Sequence, residues 1–158
     1  MGTGLSASFI TGLTDTFLTD KEGVGKHRYE DGKWYKWVLY DDGTGNLDIV
    51  AGDALYYLAD SFTTVTADLT DADTLPIGAG IATGTVTVTA TYMWIQFKGA
   101  ATFSLDPLGT TPGDGDAICA PTSTGTDKTV IVDPPDNRSR MGVMSDDSDK
   151  TVFLDCPF

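Results

Sequence analysis

Basic residues, histidine and cysteine are all scarce in this sequence, and each scarcity removes a class of function. Ten Lys and Arg face 23 Asp and Glu, for a formal charge of −13 at pH 7 and an isoelectric point near 4.1. Nucleic acid and anionic lipid are therefore not expected as partners, because both would be repelled. His27 is the single histidine, so a multi-histidine metal centre and an HExxH site are excluded. Neither a Walker A loop nor a GxSxG elbow is present. Cys119 and Cys156 are the two cysteines and have no CxxC or Cys/His companion. They are read as small buried apolar side chains, with a mutual disulfide as the alternative.

Long apolar runs are missing too. Nothing approaches the roughly 20 apolar residues of a bilayer span, and residues 1–20 carry neither a basic region nor a long apolar core, so no membrane association or ordinary secretion is expected. The opening MGTGLS fits the spacing of a myristoylation signal at Gly2, which matters only in a eukaryotic host. Asn137-Arg138-Ser139 is a formal glycosylation sequon, expected to be unmodified.

What the chain does have is β-grammar. Its 158 residues suit one domain, and apolar residues alternate with Thr, Ser and charged residues between Gly and Asp-Gly punctuation. The expected fold is all-β: a single antiparallel β-sandwich or small barrel of about eight to ten short strands, with residues 1–20 as an extended N-terminal arm or edge strand and 21–158 as the β-domain. In KHRYEDGKWYKWVLYDDG, Asp31-Gly32 supplies a hairpin turn. Tyr35, Trp37 and Leu39 then share one strand face, and Trp34, Lys36, Val38 and Tyr40 the other. SFTTVTADLT alternates in the manner of an exposed strand.

The stretch GTVTVTATYMWIQFKG is the least regular. Val86, Val88, Ala90, Tyr92 and Trp94 form one apolar row, but from Met93 onward the apolar row shifts to Met93, Ile95 and Phe97. A single strand with one buried face cannot do this. Either a β-bulge or a tight turn near Thr89–Thr91 must reset the register, and a turn that folds the run into a hairpin is the expectation adopted. Tyr92, Trp94, Ile95, Phe97, Trp34 and Trp37 are the candidate core or subunit-interface residues.

The segment GIATGTVTVTATYMWIQFKGAATFSL resembles the small β-rich capsid decoration, or cement, proteins of tailed bacteriophages and related head-fibre domains. Gly80-Ile81-Ala82 matches their start, Tyr92-Met93-Trp94-Ile95-Gln96 their aromatic strand and Lys98-Gly99 its end, with Met93 where Gly is usual. VGKHRYEDGKWYKWVLYDDG resembles their N-terminal hairpin, and GDGDAICAPTSTG the small loop after the aromatic strand. The resemblance touches about two thirds of the chain. It implies a structural virion protein assembled in the host cytoplasm; because the residues form no organised site, neither enzyme activity nor a cofactor is expected. Such a protein binds the major capsid protein on the outer capsid surface and associates with itself, often as a homotrimer.

Two other chemistries stay open at this level. Trp34, Tyr35, Trp37 and Tyr40 could stack on sugar rings, which would make the chain a head-fibre or adhesin domain for host glycans. The abundant carboxylate pairs, such as Asp71 and Asp73, match no EF-hand spacing, and the loop SDDSD is the first place to expect a calcium ion.

Overall fold

In the computed structural model, which describes residues 9–72, 76–104, 112–122, 127–132 and 139–157, Asp31 and Gly32 take φ of 51° and 78°. Positive φ at both central positions is what a tight hairpin turn with the twist of its strands requires. The turn joins β2 (His27–Glu30) to β3 (Lys33–Asp41), which pair from His27↔Lys36 to Glu30↔Lys33. The Gly2–Ser6 pattern, Asp73, Asn137 and Arg138 lie outside the described residues.

A closed five-strand barrel forms the centre of the fold. Its members are β3, β4 (Ala54–Tyr57), β5 (Thr64–Thr66), β6 (Gly78–Ala82) and β7 (Thr91–Thr102), in the ring order β3–β5–β4–β6–β7–β3. All seams are antiparallel except β3–β5, which is parallel and makes the barrel mixed. Residues of the SFTTVTADLT stretch therefore sit in the barrel wall: Val65 and Thr66 are buried, as is Asp68 just past the strand, not exposed as their alternation suggested. Alternation reports which residues share a face, while burial of both faces follows from partners elsewhere in the chain.

Beyond the ring, β7 pairs with β11 (Thr151–Asp155), followed by β10 (Arg140–Asp146), β8 (Ala117–Cys119) and β9 (Ile131–Val132). On the same side β7 also receives β1 (Thr16–Phe17), with Thr16↔Met93 and Phe17↔Tyr92. No helix occurs among the described residues.

The expected hairpin within GTVTVTATYMWIQFKG does not form. Val86 pairs instead with Ile49 through two hydrogen bonds of 2.9 and 3.0 Å. Ala90, at φ 55°, then turns the chain into β7, which runs unbroken for 12 residues. An unbroken β7 is favoured because β3 pairs along one side while β6, β1 and β11 share the other, so little of its backbone is left without a partner.

The parity shift has two causes. The first is burial of both faces. Met93 and Ile95 point into the barrel with Val38, Tyr40, Leu55 and Val65, whereas Trp94 points outward onto Trp37 and Tyr35. The second is a bulge. Tyr35 pairs with Gln96 but the next residue, Trp34, pairs with Lys98, so Phe97 is the extra residue. Gln96 fastens the bulge by donating from Nε2 to the carbonyls of Lys98 and Ala100 at 3.3 and 2.9 Å. Phe97 is thereby aimed into a third cluster, with Ile81, Ile118, Met141 and Leu154, between the barrel and the outer strands. Cys119 and Cys156 are both buried and are not joined in a disulfide.

Candidate functional site

The arm and β7 build the first surface. Trp37 and Trp94 stack edge-on at 5.2 Å, both fully buried, and the arm closes over them with Phe9 at 5.4 Å from Trp94 and Phe17 at 6.4 Å from Trp37. Polar groups pin the arm in place. The Trp94 indole donates to Thr11 Oγ1 at 2.8 Å, and the Trp37 indole to Asp20 at 2.8 Å. Thr83 Oγ1 donates to the Leu13 carbonyl, and Arg28 to that of Thr11.

Glu22 is the clamp. Its carboxylate, 1% exposed, accepts from the amides of Ile10 and Thr11, from Thr11 Oγ1 and from Lys26 Nζ, all at 2.8–3.0 Å. Burial pushes the Glu22 carboxyl up, but the hydrogen bonds from Lys26, Thr11 and Ile10 together outweigh it and leave the group below the ordinary 4.5. Asp20 is lowered in the same way by Gly23, Trp37 and Val24 against its burial. A depressed carboxyl stabilises the fold above its unfolded value and loses that stabilisation as pH falls through the folded value. The arm should accordingly stay seated from neutral pH down to about 4.5 and loosen below it. The check is intrinsic tryptophan fluorescence against pH, and Glu22→Gln should show a smaller acid transition than the wild type.

One groove on this surface is lined by uncharged side chains alone, although exposed Asp15 and Lys21 flank it and Lys21 Nζ lies 5.9 Å from the Phe17 ring. Residues 1–14 and 76–97 contain no Asp, Glu, Lys or Arg, and the fold brings their described parts together. A shallow groove of about 240 Å³ runs between Phe17 and Leu18 of the arm and Val86 and Val88 of the crossing segment, with only threonines as its other walls. Leu18 and Val88 are 69% and 54% exposed. The two uncharged stretches were visible in the sequence, but they are about sixty residues apart, and only contacts such as Phe9 on Trp94 and Thr83 on Leu13 show that they meet.

The six residues singled out from the sequence separate. Trp37, Trp94, Ile95 and Phe97 are buried within the one chain, Tyr92 is half-buried beside the arm, and Trp34 is 42% exposed. Trp34 and Trp37 are an odd number of residues apart on β3 and so face opposite ways. Trp37, Tyr35 and Tyr40 are buried and cannot stack on a sugar; Trp34 can.

No known protein family matches the chain, and neither does any curated protein.

The SDDSD loop contributes Asp146 and Asp147 to a group with Asp114 whose carboxylate oxygens lie within 4.8 Å of one another. These are the residues that could hold a cation. Their oxygens already serve the turn: Asp146 accepts from the amide and hydroxyl of Ser148, and Asp114 from the amide of Asp147. His27 stacks on Phe97 at 5.2 Å, where burial and the nearby Lys36 lower its basicity.

Proposed function

We propose that the protein is a structural component of a tailed-bacteriophage virion, a decoration protein that binds the major capsid protein from outside and braces the shell. The observation that carries this reading is the groove lined by uncharged side chains alone, between residues 16–18 of the arm and residues 85–91. On a chain of charge −13, it is a surface that another protein can cover without desolvating ions, and its exposed Leu18 and Val88 reward that cover. The acidic remainder suits display in many copies, because like-charged neighbours stay apart except where they are held. The resemblance of GIATGTVTVTATYMWIQFKGAATFSL to decoration proteins supplies the identity of the shell. It also supplies the expectation that copies associate as homotrimers. In this reading the protein catalyses nothing and needs no cofactor.

The test is co-sedimentation with purified capsids that lack the protein. Wild-type protein should pellet with them and raise the temperature at which they lose their contents. A Leu18→Asp/Val88→Asp variant, altered only at exposed positions, should keep its circular dichroism spectrum and stay in the supernatant. Wild-type protein that stays in the supernatant ends the reading.

A further inference from the structure

We infer that the barrel end bearing Trp34 is a saccharide-binding site, separate from the surface assigned to the shell. The inference stands on its own residues and does not rest on the decoration reading.

One row of cross-strand neighbours builds the site: Tyr29↔Trp34, Trp34↔Lys98 and Lys98↔Asp155, across β2, β3, β7 and β11. Tyr29 and Trp34 meet at 5.1 Å with their rings inclined by 52°, and both are open to solvent at 60% and 42%. Next to them lies a cleft of about 420 Å³ lined by His27, Trp34, Phe97 and Lys98. The bulge at Phe97 creates this arrangement, because it is what sets Lys98 opposite Trp34. Lys98 Nζ and Asp155 Oδ1 are 3.0 Å apart at the rim, and both side chains are exposed.

This combination fits a pyranose better than other ligands. The C–H face of a sugar ring lies against an indole, while its equatorial hydroxyls need a donor and an acceptor alongside. Lys98 can donate to a hydroxyl oxygen and Asp155 can accept a hydroxyl proton, without either charge being buried unpaired. The rim is locally neutral, which suits an uncharged polyol. A polyanion would meet Asp155 and Glu30, which already neutralise Lys98 and Arg28, on a strongly acidic chain. An apolar peptide would cover the Lys98–Asp155 pair without satisfying it. Strand alternation puts Trp34 on the face of β3 opposite to Trp37 and the arm, so a saccharide and a shell subunit need not compete.

The probes are maltohexaose and a hexamer of N-acetylglucosamine, titrated into the intact protein by calorimetry and by amide and indole NMR shifts. Saturable binding of at least one probe is expected, with the largest shifts at the Trp34 indole and at Lys98. Trp34→Ala should weaken it by at least about tenfold, and Lys98→Ala by less. Phe153→Ala, at an exposed aromatic outside the cleft, should leave it unchanged. Tyr29→Ala repeats the test independently should Trp34→Ala fail to fold. No saturation with either probe overturns the assignment, as does wild-type affinity in folded Trp34→Ala or Tyr29→Ala protein. Because Trp34→Ala should still pellet with capsids, failure here and failure of the decoration reading are told apart.

Discussion

Trp94→Ala should lower the unfolding free energy by about 3–5 kcal/mol, the range for truncating a large aromatic in a core. Trp94 is fully buried and is held from three directions: Trp37 at 5.2 Å, Phe9 at 5.4 Å, and Thr11 Oγ1 at 2.8 Å from its indole nitrogen. Truncation removes the surface on which the arm sits. It leaves a void between arm and sheet, and deprives Thr11 of a partner. The loss should be uneven across the molecule, because the barrel cluster of Val38, Tyr40, Met93 and Ile95 lies on the other face of the β3–β7 pair. Chemical denaturation measures the total. Limited proteolysis should then show cleavage near residues 9–17 under conditions where the wild-type arm resists. Trp94→Phe keeps most of the packing and gives up the hydrogen bond, worth about 1 kcal/mol, so it should fall much nearer the wild type. An arm equally protected in wild type and Trp94→Ala would show that Glu22 and Asp20 hold it without the tryptophan pair.

The contrast between those two faces explains how much of the fold was legible in the sequence. Period-two alternation located β3 and divided its side chains correctly, because alternation is a local property of an extended chain. Asp31-Gly32 was equally local, since its positive φ values are a demand of the turn itself. The parity shift in TYMWIQF was legible as a fact, but its cause was not. Three different clusters claim Trp94, Ile95 and Phe97, and their partners come from positions 9 to 156. Nothing within the window distinguishes a strand buried on both sides from a hairpin. The interaction surfaces divide in the same way. Trp34 and Trp37 looked equivalent by residue type, although their odd spacing already placed them on opposite faces. The charge-free groove needs two distant stretches, and neither suggests a surface alone.

Charge is distributed along β3 in a way that orients both proposed surfaces. Arg28, Lys33, Lys36 and Lys98 gather near its first residues or the strands beside them, where Glu30, Asp31 and Asp155 offset most of their charge. Asp41, Asp42, Asp48, Asp68 and Asp71 gather at its far end, roughly 26 Å away at 3.3 Å per residue. The acidic end is tied together internally: Asp68 accepts from Gly45 and Thr70 amides at 2.9 Å, and Asp71 from Thr44. A chain so polarised presents its least negative end, with Trp34 and Lys98, to whatever approaches, while the acidic end repels other copies.

Gly80→Ala should be the most damaging small substitution, costing more than about 4 kcal/mol and so falling among the exceptional single-residue effects. Gly80 lies in β6 opposite Leu55 of β4, at φ 143°, a region that side chains other than glycine's seldom enter. A Cβ there would come closer than 3.0 Å to the carbonyl oxygen of Gln96 and reach 3.2 Å from Phe97 Cα. Those atoms are backbone at the bulge of β7, so no rotamer change relieves the clash. Either β6 must part from β7, or the bulge that aims Phe97 and Lys98 must flatten. Gly115→Ala provides the comparison. Gly115 also has positive φ, 88°, but nothing lies within 4 Å of a Cβ built there, so only conformational strain of about 1–3 kcal/mol applies. The difference in denaturation midpoint between the two variants isolates the cost of opening the β6–β7 seam. Equal losses would mean that the barrel tolerates separation at this seam, and that the position of Lys98 beside Trp34 does not depend on β6.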